Sequence, residues 1–250
     1  MKIFPIASSS DGNITLIESP QTCILIDCGI GIRALTKILG TRINDITAMF
    51  ITHEHSDHIE GAGPVGRKLG IPIYIHEHSY EVKKAYFEKC NIVNLKPGIE
   101  VTIKDLTIDP FSTKHDCRYS FGFVIKETDG PKLCYLTDTG MVTKLMLDKI
   151  KECNTFFIEA DYDVDGLKKY AEYDDFLKER ISGNFGHLSN DQAIEVVKQL
   201  DLNTIKKIIF GHLSKRTNSP ECLNALLIKN FPNNLDKFLL APLSEAETII

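Results

Sequence analysis

Four potential metal ligands lie within six positions of this chain, in the segment ITHEHSDH at residues 51–58. They are His53, His55, Asp57 and His58. Side chains alternate along an extended segment, so the first two histidines point the same way, and a following turn can bring the other two residues beside them. Neutral imidazoles and a carboxylate suit zinc, manganese or iron. The spacing predicts a metal site, although a single histidine of this kind is more often a surface or core residue.

Three further candidate ligands follow predicted strands elsewhere in the chain. His115 comes at the end of an extended run at 106–114, and Asp138 and His212 each follow a short apolar run. Because strand ends place side chains at the edge of a sheet, these residues can join the first cluster. Taken alone, each would more often be structural, and Asp138 could serve as an ordinary turn or helix N-cap residue.

The elements that must position these residues are predicted from hydrophobic periodicity and turn residues. Strands are predicted at 14–18, 23–27, 46–52, 71–75, 100–108, 121–126, 132–137, 154–159 and 205–210. Helices are predicted at 32–39, 59–69, 80–89, 166–180 and 190–200. Strands that alternate with helices in this way indicate an α/β layered sandwich.

Composition narrows the class of protein. The 250 residues contain no low-complexity tract, repeat or linker, so we expect a single domain over 1–250. A net charge of −5, from 29 Lys and Arg against 34 Asp and Glu, argues against a protein that coats nucleic acid by bulk electrostatics, but leaves a local basic patch open. No apolar run approaches the roughly 18 residues of a membrane span, and the start lacks a signal-peptide layout, so we expect a cytoplasmic protein without a membrane partner. The seven cysteines include no CxxC pair, which excludes a cysteine zinc cage of that type.

The ligand motifs, taken in order, resemble those of the metallo-β-lactamase-fold hydrolases over nearly the whole chain. The resemblance implies a four-layer αββα sandwich with a dinuclear metal site. It assigns the first metal site to His53, His55 and His115, the second to Asp57, His58 and His212, a bridging role to Asp138, and support of the ligands from behind to Asp27.

The same resemblance implies a hydrolytic mechanism. Two divalent cations (zinc, manganese or iron) would hold a bridging hydroxide as the nucleophile, with Asp57 among the catalytic residues. No serine or cysteine nucleophile is then needed, and the sequence contains no GxSxG motif.

Two later segments resemble those of ribonuclease Z and its relatives. Glu159 in FIEAD and His187 in FGHLSN correspond to a glutamate that orients a histidine, which assists proton transfer to the leaving oxygen. Alternatively, His187 only flanks a helix that Ser189 or Asn190 caps. The segment TKHDC around His115 lacks the PGHTPG-like pattern of glyoxalase-II-like thioesterases, which weakens a thioesterase function.

Within the family, the chain resembles the YycJ/WalJ (VicX-type) branch. The matching segments are SSSDGN at 8–13, THEHSDHIEG at 52–61, the Glu159 segment, GHLSN at 186–190 and HLS at 212–214. The resemblance to this branch implies nuclease activity, including 5′ to 3′ exonuclease action, with DNA as the nucleic-acid partner. The chain departs from the branch at Ser8 and Asp11, and in the basic pair after HLS.

The basic pair, Lys215 and Arg216, is predicted to bind a substrate phosphate because it directly follows a ligand loop. Two charged residues in a loop are otherwise simply solvated. The alternatives for the whole protein are a hydrolase of a small phosphodiester or thioester, and a regulatory partner whose metal site is structural.

Two other features favour structural roles. His76 and His78 repeat the HxH spacing without the Asp-His that completes it, so we expect them at a strand end and a helix start. The tract 166–180 mixes basic and acidic residues, and we expect a solvated amphipathic helix there rather than a nucleic-acid contact.

Overall fold

The central strands of this protein are buried along their full length. In the computed structural model, which describes residues 1–244, every residue of Cys23–Ile26 and of Thr155–Glu159 is buried. Strands buried on both faces belong to sheets covered on both sides. The pattern therefore requires at least one layer of structure on each side of these strands.

Thirteen strands form two sheets in the described chain. The first sheet has the order β1 to β6, with β1 Lys2–Ser9, β2 Gly12–Glu18, β3 Cys23–Ile26, β4 Ala48–Phe50, β5 Pro72–Ile75 and β6 Asn91–Asn94. The second runs from β13 back to β7 in sequence order, with β7 Val101–Ile103, β8 Leu106–Ser112, β9 Phe121–Glu127, β10 Lys132–Leu136, β11 Thr155–Glu159, β12 Lys207–Gly211 and β13 Phe238–Leu240.

The helices connect these strands. They are α1 Ile32–Leu39, α2 Ser56–Ile59, α3 Ala62–Leu69, α4 Glu77–Lys83, α5 Lys144–Lys151, α6 Val164–Lys169, α7 Asp175–Ser182, α8 Asn190–Val197 and α9 Pro220–Asn230, with 3₁₀ turns at Gly40–Asp45, Lys84–Phe87 and Leu235–Lys237. No helix among residues 1–244 is both long enough and apolar enough to span a membrane.

Three apolar clusters define the layers. One lies between the sheets and joins residues such as Phe50 of β4 to Phe123 of β9. A second packs α1 and α3 on the first sheet, and a third packs α5, α8 and α9 on the second. The predicted four-layer αββα fold is confirmed.

Parallel strands carry the candidate site at one edge of each sheet. β3 to β6 run parallel in the first sheet, as do β10 to β13 in the second. Parallel neighbours end on the same edge, and ligands in α/β sheets bind beyond the carboxyl ends of the strands. Asp27, Asp138 and His212 all follow strands of this set.

Two predicted elements were wrong. The strand predicted at 100–108 is a hairpin of β7 and β8, because the chain reverses at Lys104, whose φ is +52°. The carboxylate of Asp105 in that turn accepts hydrogen bonds from Ser19 and Thr22, which lie far away in sequence. Periodicity within one segment does not show such tertiary contacts.

The helix predicted at 166–180 is also wrong, since it consists of α6 and α7. Asp174 begins α7 by accepting a hydrogen bond from the Leu177 amide at 2.7 Å, so the helix restarts there.

The helix predicted at 59–69 is interrupted at Gly61, where a side chain would collide with the Ile30 carbonyl. Periodicity did not predict β1, β6 and β13. Division into a single domain stays a prediction.

Candidate metal centre

A buried carboxylate links the ends of β3 and β4. Asp27 is fully buried and accepts hydrogen bonds from the Thr52 amide at 2.7 Å and the Thr52 hydroxyl at 2.8 Å. Its other partner is His58, whose Nδ1 lies 2.8 Å from Asp27 Oδ2. A carboxylate on one ring nitrogen fixes the orientation of the imidazole and leaves Nε2 for a metal. The structure thus places Asp27 behind His58.

Three site residues have positive φ angles, a backbone conformation that residues other than glycine rarely adopt. Asp27, Asp138 and His212 have φ values of +58°, +55° and +54°, and each lies just beyond a strand. Such conformations cost of order 1–3 kcal/mol each and persist where the surroundings hold them. The His212 amide, for example, donates to the buried Ser8 hydroxyl at 2.7 Å. Three of the six non-glycine residues with positive φ in the described chain therefore lie at the predicted site.

The first ligand group consists of His53, His55 and His115. One ring nitrogen from each lies within 4.8 Å of the others. Nδ1 of His55 is 3.2 Å from Nε2 of His115, although the two residues lie 60 positions apart. His53 and His55 share a face as the alternation predicted. His115 lies in the loop after β8, which ends at Ser112, and not at the end of a strand reaching Lys114.

The second ligand group consists of Asp57, His58 and His212, again within 4.8 Å. The short helix α2 begins at Ser56 and carries the first two of them inward. Asp138 lies between the two groups: its Oδ1 is 3.2 Å from His212 Nε2 and 3.9 Å from His115 Nε2. Its Oδ2 is 3.5 Å from His58 Nε2. One carboxylate thus contacts both groups.

The electrostatics of the first group favour neutral imidazoles. Burial lowers the pKa of His53 and His55, and it lowers the pKa of His115 to about 4. Burial opposes ionisation of Asp57 and Asp138, but neighbouring histidines outweigh it and hold both pKa values well below the usual range. Neutral imidazoles and ionised carboxylates are the forms that bind metals.

His58 and His212 differ from the first group. Burial opposes their charge, but Asp138 and the other carboxylates around them raise the pKa of each. Protons on these two rings would balance the carboxylates. A metal that binds them would displace those protons.

Several ring and carboxylate atoms in the cluster are buried and, despite close polar neighbours, make no hydrogen bond of good geometry among the described residues. They are His53 Nε2, Asp138 Oδ2, and both ring nitrogens of His212. A buried polar atom without a partner costs about 1–3 kcal/mol, so such atoms need a ligand. The donor set of imidazoles and carboxylates fits divalent cations of the zinc or manganese type.

Glu159 and His187 lie together beside this cluster. His187 Nδ1 is 3.1 Å from Glu159 Oε2, and the other Glu159 oxygen accepts from the amides of Thr139 at 2.8 Å and Leu188 at 3.2 Å. Burial opposes charge on His187, but Asp161 and Glu159 outweigh it and raise its pKa to about 9. The glutamate therefore orients the ring and favours its protonated form.

The geometry leaves a second role for His187 open. Its ligand atoms, with those of Asp138, Glu159 and His212, also lie within 4.8 Å of one another. Ser189 is the N-cap of α8, where its hydroxyl accepts from the Gln192 amide, so His187 flanks that helix as the alternative expected, and its ring also contacts Glu159.

Two residues of the first hairpin contact the cluster and were not predicted as site residues. Asn13 Nδ2 is 3.1 Å from Asp57 Oδ2, and the Ser8 hydroxyl accepts from the His212 amide. Ser8 Oγ is in turn 3.4 Å from Asn13 Oδ1. The SSSDGN segment was a signal of family membership, but only the folded chain shows which ligands it contacts.

The basic pair lies on the surface beside His212. Lys215 Nζ is 3.0 Å from the Asp11 carboxylate, and Arg216 Nη1 is 3.4 Å from the Tyr173 hydroxyl. Both side chains are exposed. They are accessible to a substrate, but each already has a partner.

A cavity of about 110 Å³ opens next to the first ligand group. His55, His115, Gly186 and His187 line one part of it. The remaining lining comes from Asp116, Leu177, Arg180 and Ile181, with Arg180 ion-paired to Asp116. Arg180 lies in the tract 166–180 and is exposed, as expected of a solvated helix face, although it also lines this cavity.

His76 and His78 lie where the sequence predicted. β5 ends at Ile75, His76 is the N-cap of α4, and His78 lies within that helix. The His76 ring stacks on Tyr119 at 3.8 Å.

Comparisons with known proteins show what this chain is similar to. The Beta-lactamase superfamily domain matches residues 22–213. The chain is 32% identical over 231 residues to the exodeoxyribonuclease WalJ of Streptococcus pneumoniae serotype 2 (strain D39), covering 89% of this chain and 85% of the relative. It is 30% identical over 222 residues to the exodeoxyribonuclease YycJ of Bacillus anthracis, covering 86% and 83%.

The fold is also found among solved structures. The metallo-beta-lactamase fold protein YhfI from Bacillus subtilis superimposes with a TM-score of 0.73 and 18% identity, over 97% of this chain and 96% of that one. At that identity the likeness concerns the fold alone.

Proposed function

This chain belongs to the β-lactamase superfamily and is a metal-dependent hydrolase; from that premise we propose that it is a 5′ to 3′ exonuclease acting on DNA. The named relatives, which are exodeoxyribonucleases and match more than four-fifths of their own length, support the DNA substrate. The observation that carries the proposal is Asp138, whose carboxylate contacts two separate ligand groups. A structural zinc site needs only one closed set of four ligands.

We assign one cation to His53, His55 and His115, and a second to Asp57, His58 and His212, with Asp138 shared. Two cations held by these residues would supply an activated water and would neutralise the charge that develops on phosphoryl oxygens. The metals themselves, zinc, manganese or iron, are part of this proposal. The cytoplasmic location expected from the sequence stays a prediction.

The remaining steps depend on side chains of the chain. Asp27 holds His58 through Nδ1, so that Nε2 faces the cluster. Glu159 holds His187 through Nδ1, which leaves Nε2–H as the proton for the leaving oxygen. Asp57, 24% exposed, and the half-buried His55 lie on the accessible side of the cluster, where a phosphodiester would approach. Lys215 and Arg216 would bind a substrate phosphate beside His212.

The decisive experiment compares end-labelled DNA with other substrates. The metal-loaded protein is incubated with single-stranded and double-stranded DNA labelled at either end, with RNA, and with bis-p-nitrophenyl phosphate. The proposal expects early release of 5′-labelled mononucleotides from DNA, and the Asp138→Ala variant serves as the inactive control.

Each other outcome has a definite meaning. Early release of a 3′ label contradicts the polarity, and preferential hydrolysis of RNA contradicts the substrate. Hydrolysis of the small diester alone supports a small-phosphodiester hydrolase, and a parallel assay with a thioester tests that alternative. Retention of metal without hydrolysis of any substrate would favour a regulatory partner with a structural metal site.

A further inference from the structure

An exposed phenylalanine lies in the loop that delivers His187. Phe185 is 57% exposed, although its neighbour Gly186 lines the cavity beside the first ligand group. The ammonium of Lys114 lies 5.9 Å from the centre of the Phe185 ring. Lys114 is itself exposed and directly precedes His115. An exposed aromatic ring and an exposed cation therefore lie together, and each is one residue away from a residue that lines the cavity, Gly186 or His115.

The backbone holds this pair firmly next to the site. His115 Nδ1 donates to the Gly186 carbonyl at 3.0 Å, and the His187 amide donates to the Ile181 carbonyl at 2.8 Å. A side chain at Gly140 would lie 2.2 Å from the Gly183 carbonyl oxygen and 2.6 Å from the Gly186 nitrogen. The loop therefore packs closely on the segment after Asp138, and this packing fixes the position of the backbone that carries the Phe185 ring.

We propose that Phe185 and Lys114 form a stacking platform for a DNA base next to the scissile phosphate. The inference rests on the proposed nuclease function, and it assigns Phe185 a role in favouring a nucleic-acid strand over a small diester. Every base has a π face that can stack on an aromatic ring, and the lysine adds attraction for the adjacent phosphate. A small diester without a base would gain nothing from the platform.

The chemistry of the pair decides the occupant. An apolar partner would favour an exposed ring without a charge beside it, whereas a nucleotide presents a flat ring and an anion together. The net charge of −5 makes a local cation of this kind more important, because the protein as a whole repels DNA. Stacking is also tolerant of sequence, which suits an exonuclease that must release every nucleotide in turn.

The test measures kcat and KM on a single-stranded oligonucleotide for Phe185→Ala, Phe185→Trp and Lys114→Met. Phe185→Ala is expected to raise KM roughly 5- to 150-fold, the usual range for loss of one stacked base. Phe185→Trp retains a ring and should stay near wild type. Tyr86→Ala is the matched control, because Tyr86 is 42% exposed and has the Lys83 ammonium 5.5 Å from its ring centre, but neither it nor its chain neighbours line the cavity.

Oligonucleotides with an abasic residue on either side of the first scissile phosphate identify the contact. Wild type should lose affinity with the abasic residue at one of these two places, and Phe185→Ala should lose nothing further on that substrate. An unchanged KM for Phe185→Ala, or losses from the variant and the abasic residue that multiply, would overturn the platform while leaving the nuclease intact. If wild type hydrolyses no DNA, the proposed function itself fails, and the platform with it.

Discussion

Replacing His187 by alanine tests the proton transfer that the site geometry favours. In the folded chain Glu159 Oε2 lies 3.1 Å from His187 Nδ1, so Nε2 is the nitrogen that can carry a transferable proton. The raised pKa of His187, about 9, makes that ring an acid at neutral pH. Bound cations would lower this pKa, so deprotonation should fall at or below that value. The variant removes the acid without touching either ligand group assigned above.

The expected loss is that of one general acid. Such catalysis contributes roughly 10² to 10⁴-fold, which corresponds to about 3–5 kcal/mol in the activation barrier. The fold should tolerate the change, because Glu159 keeps its hydrogen bonds from the amides of Thr139 and Leu188. His187→Ala should therefore retain its metals and its unfolding transition. Glu159→Gln, which keeps the shape and removes the charge, should lose part of the same factor.

The assay compares two leaving groups. The loss in kcat should be full on DNA and much smaller on a substrate that releases p-nitrophenolate, because that group needs little protonation. The decline of wild-type kcat at high pH, as His187 loses its proton, should be absent from the variant. Equal losses on both leaving groups would refute the proton-donor role and favour substrate positioning. Loss of metal, measured by elemental analysis, would instead place His187 among the ligands.

Four further changes test other parts of the site. Asp138→Ala should contain fewer than the two metals per chain expected of wild type, and full occupancy with unchanged activity would contradict its bridging role. Replacing Lys215 and Arg216 by alanine should raise KM for DNA and flatten its salt dependence. The control is the same replacement of Lys206 and Lys207, which lie at the opposite end of β12 and give the same change of charge. Equal effects from both pairs would count against the phosphate contact. Asn13→Ala removes the amide 3.1 Å from Asp57 Oδ2 and should weaken the second metal site about 10- to 100-fold in a chelator competition, whereas unchanged affinity would make Asn13 a purely structural residue. Asp27→Ala leaves His58 without its buried partner and should lower the free energy of unfolding by about 3–5 kcal/mol in urea titration; a change near zero would show that the pair adds no net stability.

The fold class and the family could be predicted because their signals are local. The alternation in HEHSDH places two histidines on one face, and turn residues separate short apolar strands from polar segments. The same local patterns failed at 166–180, where Asp174 starts a new helix, and at 100–108, where Asp105 is held by residues more than eighty positions away. Periodicity describes which face of a segment is apolar, and it carries no information about a distant hydrogen-bond partner.

Residue types and short spacings are enough to predict which side chains could bind a cation, since ligand chemistry depends on both. How those side chains are held follows from the packing of the folded chain. Asn13 contacts Asp57 across 44 positions, and Ser8 contacts His212 across 204. The positive φ of Asp138 and the exposure of Phe185 beside Lys114 likewise follow from how loops pack. Folding brings these residues together because burial of both sheets fixes where the strands end, and every site loop starts from one of those ends.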